Sequence, residues 1–312
     1  MLVHARADVL AKIAAGTAAA VRERQRRGSA GTAAATSLAW GKGEGKGEGW
    51  SVSDVVCTCG PSDRAFEEMH TRHSIGVVLS GTFQYRSSEG RHVMSAGSFL
   101  LGNPGDSYEC DHEHAAGDRC VAFHYSTEYL ERITAELPGR NIRPRFGATR
   151  FAPARELSGV VARTAIALSD PARIPWNELA VRIAAAALSF DSQRTARFAS
   201  PTATVASRIT EQIRAIEMDP SIDASLDALA AETELSPFAY LRTFERLTGA
   251  TPHQLLLRAR LRRAAVRLET ESAKVIDVAF SSGFGDVSNF NKAFRAEFGV
   301  TPTAYRRGVA SM

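Results

Sequence analysis

Gly249-Ala250-Thr251-Pro252 returns fifty residues later as Gly299-Val300-Thr301-Pro302, and this echo decides how the C-terminal third folds. The offset holds upstream, where Tyr240 matches Phe290, Arg242 matches Lys292 and Phe244 matches Phe294. Each Gly-x-Thr-Pro closes a short amphipathic helix, because a glycine satisfies the helix end and the proline cannot continue it. Self-similarity at a fixed offset is one supersecondary unit used twice. The unit reads as helix-turn-helix, and a pair of such units points to DNA.

In the first copy, Ser225 is the N-cap of a helix over 226–232. Ser236 caps the next helix, with Pro237 at its first position, where the missing N–H is harmless. Tyr240, Phe244 and Leu247 recur at i, i+4 and i+7 and face inward. Phe238, Leu241, Arg242, Glu245 and Arg246 take the remaining face. The second copy pairs 275–280 with a helix over 287–298, capped by Asp286. Phe290, Phe294 and Phe298 form its inward stripe, while Ser288, Asn289, Asn291, Lys292 and Arg295 point away. Gly283 supplies the left-handed conformation of its turn.

Residues 252–269 join the copies as a helix with Leu257, Leu261, Ala264, Ala265 and Leu268 at helical spacing. Eighteen residues at the helical rise make a spacer of roughly 27 Å. Successive major-groove segments on one face of B-DNA lie about 34 Å apart. A spacer of this length brings two recognition helices to adjacent grooves. Charge is segregated in the same region. Pro237 to Arg267 carries seven arginines against the single acid Glu245, whereas Glu211 to Glu234 carries seven acids and one arginine. A basic segment of this kind is the footprint of a phosphate-contacting surface, or else a solvated helix face.

Residues 205–308 resemble the DNA-binding domain of the AraC/XylS transcription regulators. The resemblance rests on Leu229-Ala230 with Leu235-Ser236-Pro237, Arg242, Phe244 and Thr248-Gly249 in the first unit. In the second it rests on Val278-Ala279, Gly283-Phe284, Phe290, Phe294, Phe298 to Pro302 and Tyr305-Arg306. It implies an all-α domain with two helix-turn-helix units that binds promoters by sequence. By matched position it implies base reading by Phe238, Leu241 and Arg242 in the first unit and by Ser288, Asn289 and Lys292 in the second. Arginine suits guanine and asparagine suits adenine. Phosphate contacts are expected from Ser236, Arg246, Arg258, Arg262 and Arg295. Two departures stand out. Glu234 replaces the turn glycine of the first unit, which points to another turn geometry there. Leu241 occupies a position where a polar reader is common, and either meets a thymine methyl or packs. The second unit is therefore expected to supply more of the hydrogen-bonded readout.

The N-terminal part reads differently. Residues 1–50 are rich in Ala, Gly, Ser and Thr, with the basic run Arg22 to Arg27 and the repeat Gly41 to Gly49. Such glycine density does not repay its ordering entropy, so a disordered tail is expected, with at most a transient helix over 7–26. From 51 to 127, short runs such as 76–86, 97–105 and 119–125 with Gly and Pro punctuation predict a small antiparallel barrel. Residues 128–190 turn helical, as a packing or dimerisation segment, and 191–204 read as a linker. The whole is an α+β multidomain chain, and its barrel resembles the cupin-like sensor domains that precede this DNA-binding domain in many family members.

One polar cluster is unusual: Cys110-Asp111-His112-Glu113-His114, then Cys120. On a strand, Cys110, His112 and His114 share a face. Thiolate and imidazole together suit zinc or another divalent metal. The same residues also fit a polar loop that binds nothing, or a thiol redox response.

With 312 residues and 44% hydrophobic content, the chain is long enough for two packed domains. A net charge of +4 says little about partners. No apolar run approaches the ~18 residues of a membrane span, and the chain is read as cytoplasmic. The expectation is a non-enzymatic regulator whose partners are double-stranded promoter DNA, an effector that is a small molecule or a metal, RNA polymerase, and a second copy of the chain. The alternative is a cupin-type metalloenzyme with a DNA-binding appendage, which needs three metal ligands opening into a pocket.

Overall fold

The computed structural model describes residues 9–42, 48–112, 116–137, 144–171, 174–191, 203–220, 225–235 and 237–308. Residues 9–42 are folded, where a tail is expected from the sequence. Helix α1 (Val9–Arg27) buries Val9, Ile13, Thr17 and Val21, a narrow stripe repeating every four residues. Its anchors are polar as well as apolar: the Thr17 hydroxyl meets Ser80 at 2.9 Å, and Arg24 pairs with Asp63. Strand β1 (Ala33–Lys42) then pairs antiparallel with β2 (Glu48–Cys57). The expectation of disorder failed because small residues let α1 sit close, and tertiary packing repays their ordering. Residues 43–47, the centre of the glycine repeat, lie outside the described residues.

The chain continues through β3 (Phe66–Met69), β4 (His73–Gly81), β5 (Phe83–Ser87), β6 (Gly90–Met94), β7 (Phe99–Gly102), β8 (Ser107–Asp111) and β9 (Asp118–Tyr125). Helix α2 (Thr127–Glu136), the two-residue β10 (Arg150–Phe151), α3 (Arg155–Ser169) and α4 (Trp176–Asp191) complete this half. The strands form a six-stranded sheet in the order β1-β2-β9-β4-β7-β10 and a four-stranded sheet in the order β3-β8-β5-β6. All the pairings are antiparallel. The larger sheet is covered on both faces. Val78 and Cys120 point toward Phe83, Tyr85, Met94 and Cys110 of the smaller sheet. Val77, Leu79, Val121 and Phe123 pack in a core shared with α3 and α4. Burial on both faces is why the centre of β4 reads as a continuous apolar run.

The C-terminal half is helical: α5 (Ala203–Met218), α6 (Leu226–Glu232), α7 (Pro237–Thr248), α8 (Pro252–Thr270), α9 (Val275–Ser281), α10 (Val287–Phe298) and α11 (Pro302–Arg306). The expected linker falls between Asp191 and Ala203, outside the described residues. The first unit, α6 and α7, packs Leu229, Tyr240, Phe244 and Leu247 with Ile209, Ile213 and Ile216 of α5 and with Val93 of β6 in the sensor. The second unit joins the larger core. Its Val278, Phe290, Phe294 and Tyr305 belong to one apolar cluster with the sensor sheet and α3.

Candidate functional site

Helix α10 shows how the sequence builds a reading head. The Asp286 carboxylate accepts hydrogen bonds from the Ser288 N–H at 3.1 Å and the Asn289 N–H at 2.9 Å. These bonds hold the Asp286 carboxyl below its usual range, and its charge complements the helix N-terminus. Phe290 and Phe294 are fully buried one turn apart, with ring centroids at 5.4 Å. That anchoring leaves Ser288, Asn289, Lys292 and Arg295 exposed. Gly299 ends the helix at φ 78°.

Helix α7 is the equivalent in the first unit. Tyr240 and Phe244 are buried, and the Tyr240 hydroxyl donates to Gln212 at 2.8 Å, tying α7 to α5. Arg246 is exposed and Leu241 is half-buried. Ser236 lies outside the described residues, as do the side chains of Phe238 and Arg242. The turn into α7 keeps the left-handed geometry despite its departure from glycine: Glu234 holds φ at 59° and is the only non-glycine residue with positive φ among those described. Arg208 bonds both the Glu232 carbonyl and the Glu234 carboxylate, at 3.0 and 2.9 Å. The expected change of turn geometry does not occur.

Two of the expected phosphate contacts are corrected. Arg258 donates to the Pro153 carbonyl at 2.7 Å and faces Glu297 at 3.8 Å. Arg262 is buried, with Glu217 and Glu297 as its attracting charges. Both point into the contact between sensor and DNA-binding half. The physical reason is that α8 is apolar around most of its circumference, through Leu255, Leu256, Ala259, Leu261, Ala264, Ala265, Val266 and Leu268. Such a helix is an interior helix, and its arginines turn toward internal acids. On α3, Ser158 donates to Glu297 of α10, so the second reading head is tied directly to the sensor.

A cavity of about 390 Å³ opens where the halves meet. Leu10, Ala14 and Ala18 of α1, Val78 and Leu79 of β4, and Val161 and Ala162 of α3 make its apolar wall. Arg22, Arg214, Arg262, Arg263 and Glu217 supply its polar end. The Glu217 carboxylate accepts from the Ala96 N–H at 2.6 Å, and burial pushes its carboxyl up to about 7 against the pull of Arg262. Sequence reasoning missed this site, because its lining is drawn from α1, β4, α3, α5 and α8.

The cysteine and histidine cluster is also rearranged. His112 is grouped with Cys57 and Cys59, whose donor atoms all lie within 4.8 Å of one another. Cys110 and Cys120 sit instead in the apolar layer between the sheets, and His114 lies outside the described residues. The four-residue set Cys110, His112, His114 and Cys120 is thus not the one the fold assembles. Cys57 is placed beside Asp118 by a strand pairing that no local motif reveals.

Two helix-turn-helix units on one chain, packed against an antiparallel sensor with an interfacial cavity, define a two-domain DNA-binding regulator. Residues 229–308 match the family described as Helix-turn-helix domain, and residues 54–179 match the AraC-like ligand binding domain. The transcriptional activator NphR of Rhodococcus sp is 31% identical over 242 residues, covering 74% of this chain and 68% of that protein. The chain belongs to the AraC/XylS family of transcription regulators. The activator RclR of Escherichia coli K12, described as RCS-specific, is 34% identical over 88 residues, 28% of this chain. The chain spans about a third of the length of several such relatives, RclR among them. Among solved structures, ToxT from Vibrio cholerae O395 aligns with 85% of this chain and 99% of its own at 11% identity and a TM-score of 0.36. No described helix is long and apolar enough to cross a membrane.

Proposed function

We propose that this chain binds promoter DNA in a sequence-specific manner through α7 and α10, and that an effector in the interfacial cavity adjusts how the two heads are held. The observation that carries the reading is the split of α10 into a buried phenylalanine face and an exposed face of Ser288, Asn289, Lys292 and Arg295. Asn289 and Lys292 take base edges, Ser288 sits beside them, and Arg295 with Arg246 meets phosphates. Phe238, Leu241 and Arg242 read the other half-site, with Ser236 against the backbone. The polar face of α10 gives the second unit the larger share of hydrogen-bonded readout.

The effector fits the cavity by chemistry: an apolar body against Ala14, Val78 and Val161, and an anionic group toward Arg22 and Arg214. Differential affinity for two arrangements of the halves is what lets such a ligand regulate. A homodimer formed through the sensor half and contact with RNA polymerase at the bound promoter belong to the same reading. The metalloenzyme alternative requires donors that open into a pocket. Cys57, Cys59 and His112 are buried and none of them lines the cavity.

Base-by-base affinity scanning tests the DNA half of this. Asn289→Ala should cost about 1–3 kcal/mol at one base position and relax preference there. A uniform loss across all sequences reassigns Asn289 to the backbone. For the effector half, Ala18→Trp fills the cavity and should abolish the response while leaving base preference unchanged; an intact response rules the cavity out.

A further inference from the structure

Strand alternation brings a compact set of soft donors to one end of the two-sheet sandwich. Cys57 pairs directly with Asp118 across β2 and β9. Cys59 follows two residues later, in the loop after β2. His112 leaves the end of β8 in the smaller sheet and reaches the same place. The Cys57 and Cys59 thiols and a His112 ring nitrogen lie within 4.8 Å of one another, and all three residues are buried. Donor atoms on a tetrahedral zinc ion stand about 3.3–3.8 Å apart, given Zn–S and Zn–N bonds of ~2.3 and ~2.0 Å. Closing the observed set onto an ion therefore requires shifts on the order of 1 Å.

The imidazole is already oriented for ligation. His112 Nε2 donates to Asp118 Oδ1 at 2.7 Å, which leaves Nδ1 for a ligand. A carboxylate holding the other ring nitrogen is the usual outer support of a metal-bound histidine. The loops that carry the donors are braced as well. Asp63 accepts the Gly60 N–H at 2.8 Å and the Gly31 N–H at 3.0 Å, and the Cys59 carbonyl accepts the Gly117 N–H at 2.9 Å. Gly117 in turn lies against Val21 of α1, so the site abuts the helix that walls the effector cavity.

We propose that Cys57, Cys59 and His112 form a binding site for a thiophilic divalent cation, zinc in the cell, with Asp118 positioning the histidine and water completing the tetrahedron. The two thiols release their protons to solvent on binding, and the ion joins the end of the β-sandwich to the loop behind α1. None of its residues reads DNA or lines the small-molecule cavity.

The test uses the full-length protein under reducing conditions, loaded with Co²⁺ or Zn²⁺ and freed of excess ion. The wild type should retain about one ion per chain and show thiolate-to-cobalt charge transfer with tetrahedral d–d bands. A Cys57→Ser/Cys59→Ser double variant should lose both signals. Cys110→Ala, which alters only the apolar layer, should keep them. Asp118→Asn should retain the cobalt spectrum with affinity weakened about 10–100-fold, a readout that survives if the double variant folds poorly. Absence of cobalt uptake by the folded wild type overturns the proposal, as does a thiolate band lost in Cys110→Ala but kept in the double variant.

Discussion

Gly249 and Gly299 stand at the same place in the two copies, and both hold φ at 78°. Their surroundings differ. A Cβ on Gly249 would lie 2.5 Å from Ala152 Cβ of the sensor, whereas one on Gly299 meets nothing within 4 Å. Both alanine variants carry the left-handed penalty of about 1–2 kcal/mol. Only Gly249→Ala must also push the sensor away from the first unit. It should therefore be the more destabilising of the two in urea unfolding, and only it should raise protease sensitivity at the contact between halves. Equal effects would show that Ala152 yields without cost. The other pair of matched residues is unequal in the opposite sense. Gly283 supplies its turn freely, while Glu234 sustains φ 59° with Arg208 as its partner. That exposed pair is worth little, so the first turn carries strain on the order of 1 kcal/mol that the second avoids.

At the scale of elements, α8 is the part most changed from its sequence reading. Its Leu257, Leu261, Ala264, Ala265 and Leu268 announce a helix, and the helix is there. By themselves these residues make one apolar stripe. Leu255, Leu256, Ala259 and Val266 widen that stripe until little outward face remains. Arg258 and Arg262 then have acids and a carbonyl for partners inside the molecule. Salt dependence separates the two roles. Arg295→Ala on α10 should lower the slope of log K against log salt by about 1, as one lost phosphate contact does. Arg258→Ala should leave that slope unchanged and increase hydrogen exchange in α3 and α10. A slope reduced by Arg258→Ala returns it to the DNA surface.

For the whole molecule, the second reading head joins the main apolar core of the sensor, whereas the first head has a separate cluster that reaches the sensor through Val93 of β6. Glu217 sits at this boundary, on α5, facing the Ala96 N–H from the β6–β7 turn, Arg262 from α8 and Arg214 from its own helix. Burial raises its carboxyl from the ordinary 4.5 to about 7. Between these values the folded chain holds a proton that the unfolded chain has released. Its contribution to stability is thus full below about pH 4.5 and is lost as pH rises to about 7. Unfolding midpoints compared with those of Glu217→Gln should show a wild-type decline through this window that the variant lacks. Parallel profiles would mean that Glu217 ionises freely in the folded protein.

Local pattern determined a good deal of this protein. The two helix pairs, their caps at Ser225 and Asp286, their inward aromatics and the strands on either side of Ser80-Gly81 follow from periodicity and turn chemistry, which act within a few residues. The exposed face of α10 follows too, because the positions of Phe290 and Phe294 leave Ser288, Asn289 and Lys292 outside. Three features were decided only by tertiary structure. Helix α1 has too few apolar residues to fold alone and is held by Ser80 and Asp63 far along the chain. Arg258 and Arg262 of α8 take their partners from Pro153 ahead of α3, from α5 and from α10. Cys57, Cys59 and His112 meet because the ends of strands from two stacked sheets come together. In the Gly-Ala-Thr-Pro and Gly-Val-Thr-Pro echo the sequence declares two alike units; how each packs against the sensor depends on contacts between residues far apart in the chain, and no short-range signal encodes those.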